Sequence, residues 1–472
     1  MLKGFRFTVL GGLMLMMWTG FLCQNPKESS PSSPGTAIDT PIQPSDPPSL
    51  PKYIRLNLAK LVKHPSIMDQ LEVKREGIFI YETAEDKSSN QPEWVIYPEE
   101  YDAVGEMLSK LPTDSAISIL NRKGAAPWDQ ELDQVWGKSA VKPRRTPGLP
   151  LQGMRIALDP GHMAGDMEMA EIEGKYMKMR ASKETDGISV KFWEADLALA
   201  TAFLVRNRLT ELGAMVYITR PQSGVGAQGY RWDEWKDRYL DSLAQAEVIA
   251  GRMTRKQLKK FMRRAKEKDL YSKFFNPMDL RKRAELVNAF QPDLTLVIHY
   301  NVDSPNWEKR DRRGFFKPTD ANYLMAFVPG SFMKGELATQ EDRALFLQLL
   351  LSDDIDQSAK LAESFIQQSL ELTHVPVVDP VDHGLSYLEA SSILLESPGV
   401  YARNLTLSRL IKGPICYGES LCQDNRAEAL AFAQPDIEVE GIAVSSRLEW
   451  VAEAYIQAVL EFADAQEEGD NW

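Results

Sequence analysis

The segment "MRIALDPGHMAGD" (residues 154–166) places polar residues directly after an apolar run. The run is apolar except for Arg155, and Asp159 and His162 follow it closely. A short apolar run of this kind is typical of a buried strand. One histidine behind one strand is equally consistent with an ordinary loop residue. It becomes a functional candidate only if residues of suitable chemistry follow other strands in the same way.

Two further apolar segments end in this way, and one helix begins with a carboxylate. "LTLVI" runs into His299, "SSILL" runs into Glu396, and Glu194 precedes the amphipathic segment "ADLALATAFLVRNRLTELG". In open α/β sheets, ligands bind in the crevice at the carboxyl ends of the strands. We therefore expect His162, His299 and Glu396 to converge on one site, with Glu194 as a fourth candidate.

Two histidines and one carboxylate are the protein ligands of many hydrolytic zinc sites, which leave a fourth position open. Such a site also needs a carboxylate near the metal that moves the proton of the attacking water to the leaving nitrogen. Glu396 fits that second requirement. Glu194 alone is a weaker signal, because a carboxylate in a first helical turn often only compensates the helix dipole.

The pattern from residue 153 onwards alternates between strands and helices. "AMVYITR" and "NYLMAFV" are predicted strands, whereas "RKRAELVNAF", "IDQSAKLAESFIQQSLELT" and roughly residues 445–465 are predicted helices. This alternation predicts an α/β fold with a mixed, largely parallel sheet flanked by helices on both faces. A small α+β module is predicted to precede it.

The ordered set "RIALDPGH", "WEADLALATAFLVRNRLTELGAMVYITR", "LRKRAELVNAFQPDLTLVIHYN" and "ILLESPGVYARN" resembles the successive motifs of the zinc-dependent N-acetylmuramoyl-L-alanine amidases of bacterial cell walls. The resemblance covers roughly residues 154–404. It implies that His162, Glu194 and His299 hold Zn²⁺ and that Glu396 is the catalytic acid and base. It also implies hydrolysis of the N-acetylmuramoyl–L-alanine amide bond of peptidoglycan. The smaller markers of the resemblance are Thr219, Arg220, Arg283, Asn288 and Asn404.

The sequence departs from the family pattern around the first histidine. Met163 and Ala164 stand where the family usually has a pair of glycines, and 32 positions separate His162 from Glu194. The intervening segment carries four acids that are alternative metal ligands: Glu168, Glu171, Glu173 and Glu184. We prefer Glu194, because the helix that follows it continues into the matching strand.

Two other functions remain open at this point. A glycan hydrolase could use Asp159 and Glu396 as paired carboxylates, but that would leave the two strand-end histidines without a role. The chain could instead be a catalytically silent, peptidoglycan-binding envelope lipoprotein on the same scaffold, which its metal content would reveal. His383 could contact substrate, and no role is predicted for His374.

Bulk composition and the N-terminus limit the partners and the location. The net charge of −12 argues against a nucleic-acid partner, which requires a broad basic surface. Residues 1–23 have the pattern of an export signal, in which Lys3 and Arg6 precede an apolar run, and Cys23 is a candidate lipid-attachment site. We predict an exported protein of the periplasm or cell envelope, with membrane attachment through its N-terminus.

Four regions follow from the composition. Residues 1–23 are the export segment, residues 24–51 a disordered Pro/Ser-rich tether, residues 52–142 the N-terminal module, and residues 153–465 the catalytic domain. The catalytic domain has inserts at about 221–278 and 303–345. The basic stretch 252–268 could be a solvated face, a contact with an anionic polymer or lipid, or a flap over the site. No activator protein is identifiable.

The only closely spaced cysteines, Cys416 and Cys422, lie in "CYGESLC". We predict this segment to be a loop. In an oxidising compartment the two thiols could form a disulfide.

Overall fold

The computed structural model describes residues 50–127, 148–303, 306 and 309–469. The export segment, the tether up to residue 49, and residues 128–147 lie outside these ranges, so the predictions for them remain predictions. In the described part of the chain, no helix is both long enough and apolar enough to cross a lipid bilayer.

The strands and helices alternate along most of the chain. The strands are β1 (Leu71–Lys74), β2 (Gly77–Ile80), β3 (Trp94–Ile96), β4 (Arg155–Pro160), β5 (Tyr176–Met179), β6 (Val190–Trp193), β7 (Met215–Ile218), β8 (Leu294–Asn301), β9 (Met325–Val328), β10 (Ile393–Leu394), β11 (Val400–Ala402), β12 (Ile415–Cys422), β13 (Ile437–Val439) and β14 (Ile442–Val444). The α-helices span Lys52–Leu61, Ala84–Ser88, Tyr101–Lys110, Thr113–Lys123, Met167–Glu173, Glu194–Glu211, Trp232–Ile249, Arg255–Arg264, Glu267–Leu270, Asn276–Phe290, Gln340–Leu351, Asp354–Thr373, Ser386–Ser391, Thr406–Leu410, Arg426–Phe432 and Arg447–Gly469. Short 3₁₀ or π-helical turns span Pro65–Asp69, Pro98–Glu100 and Tyr271–Phe275.

A mixed, seven-stranded sheet has the order β10-β11-β9-β12-β8-β4-β7. The strands β12, β8, β4 and β7 are mutually parallel, and so are β11 and β9. The β9–β12 and β10–β11 pairs are antiparallel. Every residue of β8 is buried, as expected for a central strand that helices cover on both faces. The predicted α/β class with a largely parallel sheet is confirmed.

Helices cover the two faces of this sheet through alternate residues of its strands. Ile156 and Leu158 of β4 belong to the hydrophobic cluster that includes the helix Glu194–Glu211. Ala157 belongs to a different cluster, which includes the helix Asn276–Phe290. Asp159, two positions further along β4, therefore lies on the second face.

The segment "CYGESLC" is the central strand β12 and not a loop, so that prediction was wrong. The strand pairs with β8 on one side and β9 on the other. Its two cysteines, Cys416 and Cys422, are buried and free, and they do not form a disulfide. "SSILL", in contrast, contributes only the two-residue edge strand β10.

The N-terminal segment forms the predicted mixture of helices with a small antiparallel sheet, β1-β2-β3. Its apolar side chains do not form a core of their own. Trp94, Val104 and Leu120 share one hydrophobic cluster with Phe346 and Leu350 of the helix Gln340–Leu351. The helix Gln340–Leu351 therefore packs directly against the N-terminal segment.

The insert at residues 221–278 is largely helical. The helices Trp232–Ile249 and Arg255–Arg264 are followed by a π-helical turn at Tyr271–Phe275. The basic helix buries Leu258, and Phe261 packs against Phe274. Its apolar side therefore faces the protein and its basic residues face solvent.

Candidate functional site

Two strands and one helix bring His162, Glu194 and His299 together. His162 lies just after β4, His299 is on the neighbouring strand β8, and Glu194 is the first residue of the helix Glu194–Glu211. One potential ligand atom from each residue lies within 4.8 Å of the other two. Glu194 and His299 are buried. The ligand set predicted from sequence is therefore spatially assembled.

The distances within this trio suit a tetrahedral zinc ion. The Oε1 atom of Glu194 is 3.1 Å from Nε2 of His162 and 3.0 Å from Nδ1 of His299. Two ligand atoms at zinc-bonding distance from a tetrahedral ion lie roughly 3.4 Å apart. The Nε2 atom of His162 is buried and has no hydrogen-bond partner, since its contact with Glu194 lacks hydrogen-bond geometry. A bound cation would satisfy this nitrogen.

The turn after β4 has a backbone shape that only certain residues tolerate. A Cβ atom on Gly161 would lie 2.4 Å from the ring of His299, so glycine is what lets the two histidines approach each other. His162 has a φ of 61°, in the left-handed region that non-glycine residues rarely adopt. Strained backbone of this kind persists where the surrounding structure holds it in place.

Two buried arginines hold this turn. Arg220 donates hydrogen bonds to the carbonyls of residues 160, 161 and 195. Arg283 donates to the carbonyls of residues 160 and 162 and pairs with Asp159 at 3.3 Å. Asp159 also accepts a hydrogen bond from the hydroxyl of Thr219. Asp159 is therefore fully engaged in holding the turn, which explains three markers of the sequence resemblance and leaves Asp159 unsuited to paired-carboxylate catalysis.

The second nitrogen of each histidine ring also has a partner. Nδ1 of His162 is 3.2 Å from Glu173, which also accepts a 2.8 Å hydrogen bond from the hydroxyl of Tyr271. Nε2 of His299 is 2.8 Å from the hydroxyl of Tyr417. Metal-binding histidines commonly use the non-binding nitrogen in this way, which fixes the orientation of the ring.

The same geometry favours Glu194 as the metal ligand over the four alternative acids. Glu168, Glu171 and Glu184 are exposed. Glu173 reaches the site, but it contacts the nitrogen of His162 that faces away from Glu194. Its position suits a residue that orients a ligand.

The electrostatics of Glu194 and His299 favour the protonation states that bind a metal, whereas those of His162 favour its protonated form as long as no metal is bound. Burial alone would raise the pKa of Glu194, but His162 and Lys175 lower it well below its usual value. Burial lowers the pKa of His299 to about 4. Burial opposes the positive charge of His162 as well, yet the negative charges of Glu194 and Glu173 give it a raised pKa. Glu194 is thus ionised and His299 neutral at pH 7, as metal binding requires.

A further carboxylate, Glu419, lies beside the trio and was missed in the sequence analysis. It is on β12 directly opposite His299 in the β8–β12 register. It is half-buried, and among the described residues it has no hydrogen-bond or ion-pair partner. Burial, followed by the negative charge of Glu194, raises the pKa of Glu419 to about 7. The signal that the sequence offered was one acidic residue, Glu419, standing between residues that the strand buries in "ICYGESLC".

Glu396 does not reach this site. It is exposed, in the turn between β10 and β11 at the edge of the sheet. Four strand spacings separate β10 from the strand that carries His299, which is about 19 Å at the usual spacing. This placement corrects the prediction that Glu396 performs acid–base chemistry. The cause is that "SSILL" forms an edge strand, whereas the central strand lies later in the chain.

The remaining histidines lie elsewhere. His374 is exposed and ends the helix Asp354–Thr373 in a left-handed conformation. His383 packs against the ring of Tyr323 at 4.5 Å, and its Nδ1 atom lies 2.8 Å from the carbonyl oxygen of Asp379. Neither belongs to the trio His162, Glu194 and His299.

No protein-family model matches the chain, and a search of curated proteins also gives no match. Solved structures similar to the chain are N-acetylmuramoyl-L-alanine amidases. The CwlD amidase from Clostridioides difficile, solved in complex with the GerS lipoprotein, is 13% identical, with 66% of this chain and 99% of that chain covered and a TM-score of 0.34. Ami1 from Mycobacterium abscessus is 13% identical over 66% and 99% of the two chains, with a TM-score of 0.33. AmiC2 of Nostoc punctiforme is 14% identical over 66% and 97%, also with a TM-score of 0.33. At these values the similarity assigns neither a metal nor a substrate bond to this chain.

Proposed function

We propose that this chain is a zinc-dependent amidase that hydrolyses the N-acetylmuramoyl–L-alanine bond of peptidoglycan. The observation that carries the proposal is the trio His162, Glu194 and His299 with the unpartnered carboxylate of Glu419 beside it. Two histidines and one carboxylate leave a position open for water or substrate on zinc.

The protein's own groups would hold and orient the metal ligands. Zinc, when bound, supplies Lewis acidity toward the scissile carbonyl and toward a water molecule. Glu173 and Tyr417 hold the rings of His162 and His299 through their second nitrogens. The N–H of Tyr300 and the side-chain amide of Gln423 donate to the carboxylate of Glu194 and fix its position.

Glu419 is the proposed acid and base. A general base must lose and regain a proton near the working pH, and a carboxylate does so only if its pKa is raised. Burial and the negative charge of Glu194 have this effect on Glu419. In the proposed reaction, Glu419 accepts a proton from the attacking water and delivers it to the leaving nitrogen.

The substrate and the location of the proposed enzyme rest on the order of the sequence motifs and on the N-terminal segment. The motif order resembles that of cell-wall amidases, whose substrate is peptidoglycan. A protein with this activity must reach the cell wall, which is consistent with the predicted export segment. Lipid attachment at Cys23 would keep it at the membrane.

The test is to digest purified peptidoglycan sacculi with the full chain, with and without a chelator, and to identify the products by mass spectrometry. We expect free stem peptides that begin with L-alanine, together with intact glycan strands. Chelation should abolish their release and added zinc should restore it. Products with cleaved glycosidic bonds, or no products from a zinc-loaded chain, would overturn the proposal.

A further inference from the structure

Arg403 is placed immediately after β11, and aromatic rings surround its guanidinium group. The central guanidinium carbon lies 5.2 Å from the ring centre of Phe327 and 5.0 Å from that of Tyr387. Stacking of this kind uses the faces of a guanidinium group and leaves its in-plane N–H groups available.

The charge of Arg403 is not neutralised by the protein. Among the residues that the structure describes, no carboxylate lies within ion-pairing distance of Arg403 and none of its side-chain nitrogens donates a hydrogen bond. The side chain is half-buried. Arginine presents five N–H donors in a fork that matches a carboxylate. A half-buried arginine without a partner is therefore suited to an anionic ligand.

The sheet register places Arg403 on the same face as the proposed catalytic site. Residues opposite each other in paired strands point to the same face, and so do residues two apart in one strand. Glu419 is opposite both His299 and Met325, and Phe327 follows Met325 by two positions. Tyr401 is opposite Phe327, and the following residue on that face is Arg403.

The face continues from the metal-binding trio across β12 and β9 to β11. On this face the ring centres of Tyr417 and Phe327 lie 6.2 Å apart. Tyr417, which contacts His299, is thereby connected to Phe327, whose ring lies next to Arg403. Tyr387, from the helix Ser386–Ser391, contacts Met325 and also lies near the guanidinium group, which is 5.0 Å from its ring centre. The positive charge of Arg403 also lowers the pKa of Glu419.

We propose that Arg403 binds a free carboxylate of the substrate peptide, two residues beyond the scissile amide on its amine side. This inference rests on the proposed amidase function. It makes Arg403 a specificity-determining residue that distinguishes stem peptides with a free carboxylate at this position from those with a carboxamide.

The dimensions of the substrate agree with this assignment. Two residues of extended peptide span about 7 Å. β11 is two strands away from β12, which is about 10 Å, and Arg403 lies four residues from the level of Glu419 along the strands, which is about 13 Å. The long side chain of Arg403 leans back over Phe327, which is opposite Tyr417, and so covers much of the distance along the strands. A peptide nitrogen held beside Glu419 can therefore place the second carboxylate against Arg403.

The experiment compares two N-acetylmuramoyl tripeptides that are identical except for the second residue, which carries a free carboxylate in one and a carboxamide in the other. The kcat/KM value of the zinc-loaded full chain should be roughly 10- to 100-fold higher for the carboxylate peptide, since that is the usual worth of a charged hydrogen bond. Arg403→Gln should remove this preference, because it slows cleavage of the carboxylate peptide far more than cleavage of the carboxamide peptide. Arg403→Lys should retain part of the preference. The matched control is Arg208→Gln, which removes an exposed arginine from the helix Glu194–Glu211.

The outcomes separate this inference from the proposed function. If both peptides are cleaved at equal rates, the amidase function stands and the role of Arg403 is wrong. If Arg403→Gln slows cleavage of both peptides equally, Arg403 has only a structural role and the inference is wrong.

A binding measurement covers the case in which the chain cleaves neither peptide. Calorimetric titration of the chelated full chain should show tighter binding of the carboxylate peptide, by roughly 10-fold or more, and Arg403→Gln should equalise the two affinities. Equal affinities in the wild-type chain, or no binding of either peptide, would overturn the inference.

Discussion

Glu194 and Glu419 have opposite electrostatic surroundings although they belong to one site. Histidine and lysine charges surround Glu194 and lower its pKa, whereas Glu419 has no direct partner in the described chain and a raised pKa. Titratable groups whose environments separate their pKa values take different roles in catalysis. The surroundings therefore suit Glu194 to metal binding and Glu419 to proton transfer.

At the same scale, Glu173 should control zinc affinity without being a ligand. Glu173→Gln removes the negative charge that orients His162, so we expect the zinc affinity to fall about 10- to 100-fold. Competition with a chelating dye measures this affinity. Glu171→Gln is the matched control, because Glu171 is exposed and pairs with Lys178, away from His162. An unchanged affinity in Glu173→Gln would show that the His162 ring does not depend on this contact.

At the scale of elements, elementary rules of strand and helix periodicity made three of the proposed site residues candidates. His162 and His299 end apolar runs and Glu194 begins an amphipathic helix, but the choice of Glu194 over four other acids came from the family resemblance. These same rules place the seven-stranded sheet in the α/β class. These rules do not predict turn geometry, because the need for glycine at position 161 arises only from the His299 ring that packs against it.

The strand β12 could not be recognised because tertiary contacts determine two of its central residues. A Cβ atom on Gly418 would lie 2.1 Å from the hydroxyl of Tyr455 and 2.9 Å from the ring of Phe365. Glycine therefore interrupts the apolar pattern to let two helices approach the strand. Glu419 interrupts it again because it faces the site. The resulting "YGES" has the composition of a turn, which is why the segment was interpreted as a loop.

Gly161 offers a test of how closely the elements position the site. Gly161→Ala should displace the His299 ring, lower the free energy of unfolding by about 1–3 kcal/mol and weaken zinc binding about 10-fold or more. Chemical denaturation and zinc titration measure the two effects. Gly187→Ala is the control, because Gly187 has a positive φ but open space around it, so that variant should lose stability only. Full zinc affinity in Gly161→Ala would contradict the site geometry.

The helix Asp354–Thr373 should make stability depend on pH. Burial raises the pKa of Asp354 from 3.8 to about 6, against the hydrogen bonds that it accepts from Gly413 and Gln348. The folded state thus holds this proton more tightly than the unfolded state. Protonated Asp354 therefore makes its full contribution to the free energy of unfolding below about pH 4. This contribution, up to roughly 3 kcal/mol, is lost as the pH rises through 6.

Asp354→Asn should therefore flatten the stability profile between pH 4 and pH 7. Urea denaturation at several pH values measures it, and Glu371→Gln, at an exposed position of the same helix, is the control. A profile of Asp354→Asn that is as steep as that of the wild-type chain would show that another group causes the pH dependence.

At the scale of the whole molecule, the N-terminal segment and the proposed catalytic domain stabilise each other. The two parts share one hydrophobic cluster. In addition, Arg343, whose side chain is 2% exposed, pairs with Glu93 of the N-terminal segment through two hydrogen bonds of 2.6 and 3.1 Å. Lys412, which precedes β12, donates to the carbonyls of Leu108 and Leu111 at the end of an N-terminal helix. The N-terminal segment therefore buttresses the strand that carries Glu419.

Loss of the Glu93–Arg343 pair should weaken this connection. Glu93→Ala leaves a buried guanidinium group without its counter-ion, so we expect the free energy of unfolding to fall by roughly 3 kcal/mol. Denaturation followed by tryptophan fluorescence measures the change. Glu99→Ala, at an exposed position, should have little effect. Equal stability of the two variants would show that the pair contributes nothing to the docking of the segment.

The central claim is that one carboxylate of the site binds zinc and the other moves the proton. The most direct test measures zinc content and amide-cleavage rate, over a zinc titration, for Glu194→Gln, Glu419→Gln and the exposed control Glu396→Gln. Glu419→Gln should bind zinc normally and lose about 10²- to 10⁴-fold in rate at saturating zinc. Glu194→Gln should lose zinc and regain part of its rate when zinc is in excess, and Glu396→Gln should match the wild-type chain. Rescue of Glu419→Gln by zinc, or full activity in that variant, would contradict this account.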